Sequence, residues 1–209
     1  MNDTMKNIFL FLLFLPLVGY AQVLDADAVL DKAVKAMKND APVQMDYSYT
    51  VYDDDNEVVL ADKGVMRLDG NCYSLVMDKM GVWCNGETQW SYMLEIDEIY
   101  VTDSSSDEAQ NLSPLFIMEN YRKRCDKEVC MLDGVAVVTL KGTHENGFEK
   151  VVLRIGADDY RLKTMDIFMM GQGHVAVVLD KYQIKCNFAQ DVYECPVEEF
   201  KTAEIVDMR

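Results

Sequence analysis

The strongest constraint on the fold is a two-residue alternation of apolar and polar side chains that recurs between residues 45 and 185. This period is typical of strands that place one face on a core. Turn sequences interrupt it at short intervals, as at Asp53-Asp54-Asp55-Asn56, Asp69-Gly70-Asn71 and Asn85-Gly86. Strands joined by such short turns must run antiparallel, because a parallel crossover needs a much longer connection. We therefore predict a meander of about ten antiparallel strands.

Two segments carry helical patterns instead. Asp25 and Asp27 suit the start of a helix over residues 25–38, and Ser113-Pro114 suits the start of a short apolar helix that ends near Arg122. The first helix has one continuous apolar face, formed by Ala26, Val29, Leu30, Ala33, Val34 and Met37. Together the patterns predict the α+β class, with a curved antiparallel sheet forming an open, incomplete barrel that helices cover on its concave face.

The N-terminal region has the pattern of an export signal. Lys6 precedes an apolar run over residues 8–18, and Gly19-Tyr20-Ala21 supplies the small residues that a signal peptidase recognises. The run is too short to span a bilayer core of about 30 Å. We predict a signal peptide at 1–21, cleaved near Ala21, one domain over 22–209, and a periplasmic location.

Charge and motifs exclude several classes of function. The formal net charge of −16 opposes binding to nucleic acid phosphates. The sequence has no Cys-x-x-Cys pair and no Gly-x-Ser-x-Gly elbow, and its only histidines are His144 and His174. We therefore expect no metal site, no cofactor and no enzymatic activity.

The six cysteines allow local disulfides in an exported protein. Cys125 and Cys130 flank a four-residue stretch, and Cys186 and Cys195 flank a segment resembling a turn before Pro196. Both pairs could approach the Cα separation of about 5.5–6 Å that a disulfide prefers. We predict these two pairings.

Methionine and aromatic residues are frequent at alternating strand positions, and methionine suits surfaces that accept several apolar shapes. A concave sheet lined by such residues could hold an acyl chain, and a packed core could use the same residues. The candidate cavity and lid residues are Leu75, Met77, Trp90, Tyr92, Leu115, Phe116, Met118, Met165, Ile167 and Met169.

Two segments carry a resemblance to a known family. A strand beginning at Gly64-Val65-Met66-Arg67 precedes the strand Asn85-Gly86-Glu87-Thr88-Gln89-Trp90-Ser91-Tyr92, and the segment Ser113-Pro114-Leu115-Phe116-Ile117 follows. These motifs resemble the LolA-like periplasmic carriers of outer-membrane lipoproteins, which have a D-G-K-T-x-W-x-Y strand and a later Pro-Leu helix. Those carriers also have an Arg-Pro latch where this chain has Asp69-Gly70-Asn71. The chain thus resembles a divergent member without the latch.

The resemblance implies an apolar cavity for acyl chains, with Trp90 and Tyr92 as the aromatic pair of the motif strand and residues 113–118 as the lid. It implies a periplasmic carrier or binding protein for lipoproteins or other lipid-like ligands. The implied partners are a lipidated protein or lipid-like ligand and membrane-bound donor and acceptor proteins, and we expect a monomer. The alternative is a non-catalytic sensing or scaffold module that binds a protein partner through its sheet edge or lid.

Overall fold

The computed structural model describes residues 24–105, 114–123, 125–142, 148–171 and 173–209, without the side chains of Phe116, Asn120 and Tyr121. The predicted signal peptide at 1–21 and Ser113 lie outside the described residues. The strands are β1 Val43–Tyr52, β2 Val58–Asp69, β3 Cys72–Met77, β4 Met80–Cys84, β5 Thr88–Met93, β6 Glu98–Asp103, β7 Asp126–Leu132, β8 Val135–Lys141, β9 Phe148–Gly156, β10 Leu162–Met169, β11 His174–Gln183 and β12 Glu204–Asp207.

All twelve strands form one sheet in the order β12-β6-β5-β4-β3-β2-β1-β11-β10-β9-β8-β7. Strand β1 joins two meanders, because it pairs with β2 on one side and with β11 on the other. Strands β12 and β7 are the two edges, so the sheet does not close on itself within the described residues. This arrangement confirms the prediction of an open, incomplete barrel in an α+β fold.

Two α-helices accompany the sheet in the described part of the chain. Helix α1 spans Ala26–Asp40, and the Asp25 carboxylate caps its start by accepting a hydrogen bond of 3.1 Å from the Asp27 amide. Helix α2 spans Pro114–Asn120 and continues into a 3₁₀ turn over Tyr121–Lys123. Neither described helix is long and apolar enough to cross a membrane.

Helix α1 lies on the concave face of the sheet. Residues paired across antiparallel strands point to the same face, so Met45 on β1, Met66 on β2 and Leu75 on β3 form one row. This row and the apolar face of α1 belong to one buried cluster. Leu30 of α1 is fully buried in it, which stabilises the fold by about 1.5–3 kcal/mol.

Ion pairs fix α1 at both ends. Near its start, Asp27 accepts hydrogen bonds from Lys127 of β7 at 2.7 and 2.8 Å. Near its end, Asp40 accepts one from Arg161 at 2.8 Å, and the Asp40 bond raises the pKa of the Arg161 guanidinium. The helix therefore runs across the sheet from the start of β7 to the start of β1.

After β11 the chain crosses to the opposite, convex face. Residues 184–203, which we call the C-terminal strap, begin where the Cys186 amide donates to the Pro42 carbonyl at 2.9 Å. The Phe200 ring then packs 4.1 Å from the Tyr92 ring and 5.8 Å from the Trp83 ring, centroid to centroid. The strap leads into β12, which pairs with β6 in parallel, so the predominantly antiparallel sheet has one parallel pair at this edge.

Neither predicted disulfide fits this fold. Cys130 lies inside strand β7 and Cys125 directly precedes that strand, so their Cα atoms are roughly 15 Å apart at an extended rise. Cys186 lies beside the start of β1, whereas Cys195 packs on the convex side of β4 and β5. Three strand spacings separate these positions by about 14 Å. Neither pair is joined in this structure, where all four cysteines are free, because a disulfide would require an approach to within about 7 Å.

Candidate functional site

The concave face changes from buried to half-buried along its strands. Tyr47 is buried on β1 while Tyr49 is half-buried, and Leu75 is buried on β3 while Met77 is half-buried. The same change occurs on β10 between Met165 and Ile167. Within this half-buried part, we use the name open end for seven residues: Tyr49, Asp62, Met77, Met80, Ile167, Met169 and Val177.

Strand register brings the residues of the open end together. Tyr49 on β1 pairs with Asp62 on β2 and with Val177 on β11. Val177 in turn pairs with Met165 on β10, two residues before Ile167. The open end is therefore one continuous strip across neighbouring strands, in contact with the buried cluster beneath it.

Three methionines give the open end an adaptable apolar surface. Met77 and Met80 flank the hairpin between β3 and β4, and Met169 ends β10. Each packs against the core while part of its side chain stays accessible. Thioether side chains are flexible and polarizable, so they adjust to apolar ligands of different shapes.

Tyr47 forms the floor beside the open end. It pairs with Gly64, and a Cβ atom at position 64 would lie 2.3 Å from Tyr47 Oη and 2.9 Å from Met77 Cγ. The tyrosine hydroxyl and the Met77 side chain therefore lie side by side over the glycine. Tyr47 Oη is buried, and among the described residues it has no hydrogen-bond partner. A buried polar group without a partner costs about 1–3 kcal/mol, so this hydroxyl is a candidate contact for a ligand.

The charge at the open end is negative. Burial, and after it Tyr49 and Asp62, raise the pKa of the Tyr47 phenol. Burial and the carboxylates of Asp62 and Asp78 raise the pKa of Tyr49. Among the described residues Asp62 has no ion-pair partner, and its carboxylate accepts a hydrogen bond of 2.7 Å from the Lys63 amide.

The structure divides the candidate residues predicted from sequence into groups. Met77, Ile167 and Met169 lie together at the open end. Four other candidates lie on the concave side but are buried in the core: Leu75, Leu115, Met118 and Met165. Met118 is fully buried. The side chain of Phe116 lies outside the described residues.

Trp90 and Tyr92 lie on the other face of the sheet. Trp90 pairs with Trp83 and Val101, and Tyr92 pairs with Ile99, which places this group on the convex side under the C-terminal strap. The expectation that they line the concave sheet is therefore wrong. The concave positions of β5 are instead the polar Gln89 and Ser91, which pair with Cys84 and Val82 of the concave core, and Met93, which pairs with Met80.

The sequence prediction missed Tyr47, Tyr49, Asp62 and Met80. Tyr47 and Tyr49 alternate correctly for one face of β1, which was a usable signal. The sequence carried no such signal for Asp62, because a carboxylate in a strand is more often solvated on the outer face. Only the cross-strand register identifies it as a concave residue.

His174, the histidine that most resembles a catalytic base, lies between two aromatic rings on the convex face. The His174 ring stacks between those of Tyr52 and Phe168, at centroid distances of 4.4 and 4.8 Å. The Lys150 ammonium lies 4.1 Å from the centre of the Phe168 ring. No group of three metal-ligating side chains occurs in the described part of the chain.

Comparisons with known proteins give matches at the level of structure. No protein-family model matches the sequence, and no curated protein matches it. An uncharacterised conserved protein from Thermus thermophilus is 12% identical, with a TM-score of 0.54 over 87% of this chain and 98% of that one. At this identity the likeness shows a common fold.

Two further structures are less similar. A LolA superfamily protein from Nitrosomonas europaea is 10% identical, with a TM-score of 0.45 over 83% of this chain and 99% of that one. A domain provisionally assigned to outer membrane lipoprotein sorting, from Vibrio parahaemolyticus, is 10% identical, with a TM-score of 0.43 over 85% of this chain and all of that one.

Proposed function

We propose that the mature protein is a periplasmic carrier or binding protein that holds an acyl chain of a lipidated protein or lipid-like ligand at the open end. One observation carries this proposal: the concave face ends in a continuous half-buried strip rich in methionine, next to a buried hydroxyl without a partner among the described residues. Apolar strips of this kind on a monomer often mark ligand sites. The ligand would be bound reversibly and without covalent chemistry.

The sequence resemblance supports the chemical class of the ligand. The LolA-like carriers take acyl chains between a concave sheet and helices, and this chain has the same order of elements. Each methylene moved from water to such a surface contributes about 0.8 kcal/mol. The methylenes of one acyl chain could therefore supply the binding free energy at a strip a few side chains long.

Titration with a fluorescent triacylated peptide tests the proposal. The mature protein, freed of lipid by partial unfolding and refolding, is titrated at low and high salt. We expect saturable one-to-one binding with little salt dependence, because apolar burial and not charge drives it. A folded, lipid-free protein that shows no saturable binding at either salt concentration would refute the carrier function.

A second candidate function is favoured by one edge of the sheet. Strand β7 pairs only with β8 among the described strands, and its Met131 and Leu132 are 45% and 61% exposed. An edge with unpaired backbone groups can accept an extended peptide as an additional strand. This edge fits the sensing or scaffold module that binds a protein partner.

A proline substitution separates the two functions. Val129→Pro removes a backbone donor in β7 and should prevent strand addition at that edge while leaving the open end intact. If the protein is a carrier, this variant binds the triacylated peptide like the wild type. Loss of a protein partner in a pull-down, with acyl binding absent in both proteins, would favour the scaffold function.

A further inference from the structure

Tyr47 and Asp62 together place two different polar groups at the inner side of the open end. Tyr47 pairs with Gly64 and Asp62 pairs with Tyr49, so the two lie in adjacent concave rows. Two residues along a strand correspond to about 7 Å. The site thus combines a buried hydroxyl that can donate one hydrogen bond with a carboxylate one row away.

The buried Tyr47 hydroxyl can donate a hydrogen bond to an acceptor on a ligand. Tyr47 is 6% exposed, and its oxygen has no hydrogen-bond partner among the described residues. A carbonyl oxygen of a bound acyl group would satisfy it, because a phenol donates well to a carbonyl. The Met77 side chain lies beside this hydroxyl over Gly64, so the first methylenes of such a chain would pack against it.

The Asp62 carboxylate would repel a negatively charged ligand. Asp62 lies on the concave face and has no ion-pair partner among the described residues. The hairpin beside it contributes Asp78, whose carboxylate, after burial and the carboxylate of Asp62, raises the pKa of Tyr49, and one cation, Lys79. A free fatty-acid carboxylate at Tyr47 would face uncompensated like charge in a partly desolvated site.

We infer that the open end selects acyl chains joined through a neutral ester or amide and discriminates against chains that end in a free carboxylate. This inference rests on the proposed function of the same site and specifies its ligand class. The acyl carbonyl accepts from Tyr47, and Asp62 excludes the ionised acid.

Two probes with one pyrene-labelled alkyl chain test the inference, one a free acid and the other its N-methyl amide. At neutral pH and low salt the wild type should bind the amide about tenfold or more tightly than the acid. Asp62→Asn should strengthen acid binding about fivefold to tenfold and change amide binding less than about twofold. Tyr47→Phe, which removes only the hydroxyl, should weaken amide binding about threefold to tenfold.

The outcomes separate this inference from the proposed function. Equal binding of acid and amide by the wild type, or an Asp62→Asn variant that changes both equally, would overturn the selectivity while leaving acyl binding intact. Absence of binding for both probes would overturn the proposed function and the inference together. The wild-type comparison and Asp62→Asn do not depend on Tyr47→Phe, whose folding is checked by its thermal transition.

Discussion

Tyr47 and Gly64 face each other across β1 and β2, and the tyrosine ring occupies the space that a side chain at position 64 would need. A Cβ atom there would lie 2.3 Å from Tyr47 Oη and 2.5 Å from Tyr47 Cζ. Gly64→Ala should therefore push the ring towards the open end and destabilise the protein by about 1–3 kcal/mol, as overpacking does. Urea unfolding measures this change.

A shorter side chain at position 47 provides the control. In a Tyr47→Leu background only the flexible Met77 side chain remains close to an alanine at position 64, so the cost of the alanine should fall below about 1 kcal/mol. An equal cost in both backgrounds would show that the glycine is required for a reason other than the tyrosine ring.

Substitutions on the two faces of the sheet should have different effects. Met77→Ser shortens a side chain of the open end and should weaken acyl binding about tenfold. Trp90→Ala removes a convex side chain under the C-terminal strap, so it should lower the unfolding free energy and leave affinity unchanged. Met208→Ser, at an exposed position, is the matched control. Loss of affinity in Trp90→Ala at a temperature where it is folded would contradict the placement of the site.

The placement of Trp90 illustrates what the sequence could and could not predict. Alternation identifies two faces for each strand, and it predicted the strands and α1 to within a few residues. It does not say which face meets the core, because that depends on register and on what covers the other side. Here the C-terminal strap, an irregular segment without a periodic pattern, covers the convex face of β4 and β5 and accommodates their aromatic residues. Tyr47 was likewise not identified as a site residue, since its role depends on Gly64 on the neighbouring strand.

Tyr193 should make the strap sensitive to alkaline pH. Its burial, and after it the charges of Asp69 and Cys72, raise the pKa of the phenol from 10.0 to about 12. Between these values the unfolded chain loses a proton that the folded chain keeps, so stability is complete below pH 10 and falls as the pH rises. In Tyr193→Phe the alkaline decrease in unfolding free energy should be smaller than in the wild type by at most about 3 kcal/mol. Urea midpoints at neutral and alkaline pH measure it, and identical alkaline losses in both proteins would contradict the assignment.

The cysteines should differ in their reactivity. Cys130 is exposed on β7, whereas burial, followed by the charge of Glu199, raises the pKa of the Cys195 thiol to about 11. Alkylation requires the thiolate, so Cys195 should react at least about tenfold more slowly than Cys130 in the folded protein at mildly alkaline pH. Time-resolved iodoacetamide labelling with peptide mass spectrometry measures both rates. Equal rates in the folded state, or a Cys186–Cys195 disulfide in the unlabelled protein, would contradict the structure.

Photo-crosslinking tests most directly whether the open end holds the acyl chain. An acyl amide carrying a diazirine on its alkyl chain is bound to the mature protein, irradiated, and located by peptide mass spectrometry. The structure predicts labels on the peptides that contain Met77, Met80, Ile167 and Met169, and their loss in the presence of excess unlabelled amide. Competable labelling confined to the convex segments around Trp90, Tyr92 and Phe200 would show that the ligand binds under the C-terminal strap and that the account is wrong.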